Sequence, residues 1–185
     1  MTGVTTLRTR LRDHTGELHA RLDAGLPLMR DDVTPAAYTT FLTRMLAWLQ
    51  PVEQTLSNRL PATDLQVPFV ERAGWLTDDL TVLGVPLPER APARCLPVLE
   101  SPSHAVGCWY VIEGAALGGQ VLSRRLRTQL GVTPERGGRY LAGSGTATPA
   151  RWRDVCGALE RYDGPPDDVL DGARRSFESL HAWLL

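Results

Sequence analysis

AVGCWYVIEGAALGGQVLSRRL, residues 105–126, is the most apolar stretch of this 185-residue chain, and its reading decides the fold. It is nearly long enough to cross a bilayer, for which about 20 apolar residues are needed. Against that, Glu113 stands at its middle, Gln120 near its end, and glycines recur through it. Charged and polar groups at membrane depth are costly. The stretch therefore reads as the buried central helix of a soluble protein, running from His104 to about Leu130.

Outward from this helix the apolar spacing is helical. Leu7, Leu11, Leu18 and Leu22 fall on one stripe and predict a helix over 7–24. Phe41, Met45, Trp48, Val52, Leu56 and Leu60 predict a long core-facing helix over 36–60, and a looser one is expected from about Val67 to Leu83. Pro86, Pro88, Pro92, Pro97 and Pro102 then punctuate a connector that one regular helix cannot occupy. Past the central helix, GVTPERGGRYLAGSGTATP (131–149) is a Gly-, Thr- and Ser-rich loop. It ends in Thr148 as N-cap and Pro149 at the first helical position, opening a helix that carries Arg151 to about Arg161. DGPP breaks the chain at 163–166, and Ala173, Phe177, Leu180 and Leu184 share one face of a last helix. No alternating strand pattern of useful length is present. The expected fold class is all-α, a single domain over residues 1–185, with about seven helices in a bundle-like array.

Composition agrees: 43% hydrophobic and 22% charged residues suit one globular domain with a developed core. A net charge of −1 and a pI of about 6.4 call for neither nucleic acid nor an anionic membrane as partner. All 20 basic residues are Arg, so any bound anion must be met by a rigid guanidinium fork. The opening MTGVTTLRTRLRDHTGEL lacks the apolar stretch of a signal peptide, and a cytoplasmic location is expected. Cys95, Cys108 and Cys156, odd in number and widely spaced, match no disulfide framework or zinc knuckle and are expected to be reduced, packed thiols.

Two constellations carry chemistry. At about 100° per residue, His19 stands at the edge of the first helix's apolar stripe and His14 at the opposite edge. Arg12 shares the face of His19, two turns or roughly 10 Å away along the axis. A flat cofactor with a metal at its centre and carboxylates at its rim needs a ligand and a cation about that far apart. Haem is such a molecule, since its iron takes a neutral imidazole and its propionates take Arg. An ordinary surface pair also fits this spacing. In GAALGG, Gly114, Gly118 and Gly119 place three glycines in a helix interior, each costing about 1 kcal/mol relative to alanine. Either a second helix packs closely there, or a flat ligand approaches the backbone.

LRDHTGELHARLD, residues 11–23, resembles the proximal helix of haem oxygenases, in which a Leu-Arg/Lys-x-x-Thr-x-x-x-His pattern ends in the axial histidine, here His19. WYVIEGAALGGQVLSRRL, residues 109–126, resembles the family's distal helix, whose glycines lie over the haem face and bend the helix; the matching positions are Gly114, Gly118 and Gly119. ARRSFESLHAWLL is similar to the last core helix of bacterial members. The resemblance implies haem between a proximal and a kinked distal helix, with Arg12, Tyr110 and Arg153 as contacts to its propionates. Gly114 and Gly118 would then face the reacting oxygen. Haem, iron protoporphyrin IX, is implied as substrate and cofactor at once. It would be cleaved with O2 and an electron donor such as a ferredoxin or flavin reductase to biliverdin, carbon monoxide and ferrous iron, with opening expected at the alpha meso carbon.

The animal-type enzymes carry an aspartate just after the first distal glycine, where this chain has Ala115. That departure is similar to the bacterial, phytochrome-associated type and implies a bacterial phytochrome as receiver of the biliverdin. Three rivals remain. A non-enzymatic haem carrier or sensor would keep His19 without turnover. A thiaminase-like enzyme would need Cys108 as nucleophile, although its apolar surroundings predict an inert thiol. A di-iron oxygenase would have to gather Glu17, Glu113 and His181 from facing helices.

Overall fold

Side-chain hydroxyls start the helices that the sequence marks most clearly. In the computed structural model, which describes residues 6–88 and 96–185, Thr6 accepts the N–H of Thr9 and opens α1, Leu7–Gly25. Thr34 accepts the N–H of Ala37 and opens α2, Pro35–Arg59, with Pro35 in the first turn, where its missing N–H costs nothing. Ser101 caps the central helix α4, Pro102–Leu130, in a reciprocal box with His104, and Gly131 ends it in the left-handed conformation at φ 68°. The other helices are α3, Ala73–Val82; α5, Arg139–Ala142; α6, Thr148–Arg161; and α7, Pro166–Leu184. Among the described residues there is no strand, and the fold is all-α as expected. Cys95, expected as a packed thiol, and Pro92 of the connector lie outside the described residues.

α4 is long and apolar enough to cross a membrane by length and composition, yet its first half is packed inside the protein. Its principal neighbour is α7. The two helices cross where Gly107 meets Val169 and Ala173, and where Gly172 meets the His104 backbone. A Cβ at Gly107 would strike the Val169 carbonyl and stand 2.6 Å from the Ala173 nitrogen. The α4–α7 crossing thus requires glycine at 107 and 172, outside GAALGG. Around this crossing Trp48, Trp109, Leu11, Val169 and Ala173 are fully buried, and Trp48 Nε1 donates to Ser179 Oγ at 2.8 Å. Each large apolar side chain so buried stabilises the fold by about 1.5–3 kcal/mol.

Three boundaries differ from expectation, each for a tertiary or local steric reason. α3 begins at Ala73 rather than Val67. Pro68 disfavours helix before it, and the N–H groups of Arg72 and Ala73 are taken by the buried Glu53 carboxylate at 2.5 and 3.0 Å. The segment 131–149 is not a plain loop. It holds a turn at Pro134–Gly138, then α5, then a 3-10 turn at Gly145–Ala147. Buried Asp79 starts α5 by accepting the N–H groups of Arg139 and Tyr140, both at 2.8 Å. Thr148 is not the cap of α6 but its first residue, following Ala147, and its hydroxyl is buried with no hydrogen-bond partner among the described residues.

Candidate functional site

α1 and α4 form two walls of a cavity of about 660 Å³, closed by α7 and by side chains of α2 and α6. That volume lies in the range of pockets that enclose a small molecule. Arg12, His19, Tyr110, Gly114, Gly118 and Gly119 all line it. The fold thereby brings together every residue that the sequence assigned to haem except Arg153. His14 is exposed and not on the wall.

His19 stands on the α1 wall with its ring edge against Phe177, centroids 5.7 Å apart. Its Nδ1 lies 3.1 Å from Asp23 Oδ2, one helical turn on. An N–H on Nδ1 satisfies that carboxylate and leaves Nε2 with its lone pair, the arrangement of a metal-ligating histidine with its orienting partner. Arg12 is 73% exposed in its side chain and, among the described residues, bonds only its neighbour Asp13, at 3.1 Å. Such a surface pair contributes little, so Arg12 is free to turn to an anion at the cavity mouth.

Tyr110, half-buried, packs against Trp152 with ring centroids 5.7 Å apart. Burial pushes its phenol pKa up, and a hydrogen bond with Thr15 works against that shift. The three glycines of GAALGG divide between the two explanations. A Cβ at Gly118 would meet nothing within 4 Å, so this position opens a smooth patch onto the cavity. A Cβ at Gly114 would stand 3.4 Å from the Trp152 ring, and one at Gly119 3.0 Å from the Leu141 carbonyl oxygen. Gly119 therefore lets α5 approach α4, while Gly118 leaves room for a ligand. α4 continues unbroken across all three. A histidine with a ring nitrogen left for a metal, an exposed arginine and a wall that a side chain would fill together fit haem.

Arg153 is the exception. It is exposed on α6 and absent from the cavity wall, where its neighbour Trp152 stands instead. Successive helix positions point about 100° apart, so only one of the two faces inward. Sequence reasoning missed Asp23, Trp152, Arg72 and Tyr140, all of which line the cavity. The i, i+4 spacing from His19 could have exposed Asp23; nothing local marks Arg72 or Tyr140.

The rival chemistries lose support. Cys108 is fully buried and its thiol is pushed up to about 12 by burial, which makes it a poor nucleophile. Glu178 and His181 do have the Glu-x-x-His spacing, but Glu178 pairs with Arg174, and Glu113 is gripped by Arg72 and Arg151. No group of three His, Cys, Asp or Glu side chains that could hold a metal occurs among the described residues.

The family model described as Heme oxygenase matches residues 5–185. A heme oxygenase of Xanthomonas campestris pv. campestris (strain 8004) is 34% identical over 120 residues, which span 63% of this chain and 68% of that protein. The NO- and CO-bound heme oxygenase of Neisseria meningitidis has a similar fold, with a TM-score of 0.77 at 22% identity, covering 97% of this chain and 89% of that one.

Proposed function

The chain belongs to the haem oxygenase family and degrades haem to biliverdin; from that premise we propose that the α1/α4 cavity is its haem site and that His19 Nε2 is the iron ligand. One observation carries this reading: His19, held at Nδ1 by Asp23, and the open face of Gly118 line the same cavity. Bound haem supplies both the iron at which O2 reacts and the ring that is cleaved. Everything else is the work of the chain's own side chains.

His19 acts as a neutral ligand, which donates less electron density than a thiolate and so favours ring attack over O–O splitting. Arg12, released from Asp13, and the hydroxyl of Tyr110 take the propionates and fix the rotation of haem in the cavity. Arg153, facing away, takes no part. Gly118 keeps the backbone smooth where oxygen must stand, and Gly114 lies beside the Trp152 ring on the same wall. Regiochemistry follows from that seating, and the alpha meso carbon is the expected site of opening. The match over 5–185 supports one catalytic domain. A ferredoxin or flavin reductase is the inferred electron donor, and a bacterial phytochrome the inferred receiver of biliverdin, in keeping with Ala115. The free thiols of Cys108 and Cys156 suit a reducing cytoplasm.

The test is to mix the protein with hemin, record the visible spectrum, and add reductant in air, with His19→Ala alongside. A stoichiometric Soret band that decays into the broad red absorption of biliverdin is expected, with H19A failing to turn over. A haem complex that never decays would favour a carrier, and absence of haem binding would overturn the reading.

A further inference from the structure

Two polar side chains enter the cavity from a flank other than that of His19. α1 packs mainly on α6 and α7, whereas α3 and α5 pack on each other and on α2 and α4 respectively. Arg72, the residue before α3, is 5% exposed and lines the cavity. It is clamped in place: Nη1 donates to the Ile112 carbonyl at 2.8 Å and Nη2 to Glu113, whose carboxylate also accepts from Arg151. A guanidinium carries five N–H donors, so N–H groups of Arg72 remain without a partner among the described residues. Tyr140 reaches the same cavity from α5, its backbone N–H tied to Asp79 at 2.8 Å. Its phenol has no hydrogen-bond partner among the described residues. Burial pushes that phenol up to about 12, against the lowering effect of the Arg72 charge, so it stays a donor throughout the neutral range.

A donor held in an apolar enclosure without an acceptor is costly. Ile112, Ala115, Gly118 and Leu141 are among the other residues of the lining, and their side chains offer no acceptor. Two donors therefore line the cavity with hydrogens that no acceptor among the described residues takes. At position 115 the α4 wall presents only a methyl group.

We propose that Tyr140 is the hydrogen-bond donor to water and anions at the reacting face of haem, and that Arg72 positions it and the water beside it as a fixed cation. This inference rests on the haem reading of the cavity. It gives the site a proton-bearing group from α5. Tyr140 contacts the reacting centre through its hydroxyl; Arg72 acts through that water and through the field it sets.

Fluoride, a small anion that binds ferric haem and accepts hydrogen bonds, is the probe. In the ferric haem complex, Tyr140→Phe should lower fluoride affinity about ten-fold, the loss expected for one hydrogen bond to a charged acceptor. Hemin affinity and the thermal midpoint of the haem-free protein should stay as in the parent, because the lost hydroxyl has no protein partner. Arg72→Lys keeps a cation against Glu113 but loses the spare guanidinium N–H groups, and should lower fluoride affinity in the same direction by less. Biliverdin formation should slow in both variants, in kcat rather than in the hemin concentration required. Unchanged fluoride affinity in a Y140F protein that still binds hemin would overturn this assignment alone. A parent protein that takes up no hemin would overturn the haem reading and this inference with it.

Discussion

Gly118→Ala separates stability from function at one atom. The ideal Cβ at this position meets nothing within 4 Å, so the added methyl strains no protein contact. Alanine is favoured over glycine in a helix interior by about 1 kcal/mol. The haem-free protein should gain that amount, which for a chain of this length raises the melting midpoint by about 2–4 °C. The same methyl projects into the cavity where the ring is to lie, and one surplus methyl in a fitted site costs about 1–3 kcal/mol, or ten-fold and upward in affinity. Calorimetry without hemin and a Soret titration with it read the two effects separately. Gly107→Ala is the contrast, since its Cβ would collide with the Val169 carbonyl at the α4–α7 crossing. Overpacking of about 1–3 kcal/mol outweighs the helix-propensity gain there, and the midpoint should fall. A Gly118→Ala protein that melts lower than its parent when free of haem, or that binds hemin equally well, would refute the placement of this face on the ligand wall.

Two further outcomes follow from the same geometry. Asp23→Ala should weaken hemin affinity or turnover about ten-fold, the low end for loss of an orienting partner because this pair is half exposed, and should lower the iron–histidine stretching frequency in resonance Raman spectra. An unshifted frequency would remove Asp23 from the proximal side. Cys108, with its thiol raised to about 12 by burial, should escape alkylation by iodoacetamide at pH 8 in the folded protein and react once it is denatured, as peptide mapping would read. Modification of the folded form would return a thiol mechanism to consideration.

Most of the helices were legible in the sequence because helical periodicity is local. Leu7, Leu11, Leu18 and Leu22 define α1 within a few turns, and α2 and α7 announce themselves in the same way. His19, Arg12 and the glycines of GAALGG were legible as candidates, since a ligand, a cation and a bare helix face are residue types at set spacings. Their meaning was not. Three adjacent-looking glycines proved to be one ligand wall, one aromatic contact and one packing contact, and the glycines that helix crossing requires are Gly107 and Gly172. Arg153 and Trp152 differ by one position, and only the docking of α6 on α4 decided which faces inward.

The starts of α3 and α5 were hidden for a related reason. Their first N–H groups are satisfied by Glu53 and Asp79, carboxylates on other helices that no local pattern reports. Arg72 and Tyr140 follow from those same anchors, each the residue whose backbone N–H a distant carboxylate holds. The amino-acid sequence by itself determined the helices and the chemistry available to them. Which side chains share one cavity was decided by the tertiary structure alone, because buried charges must find partners across the fold wherever the chain brings them.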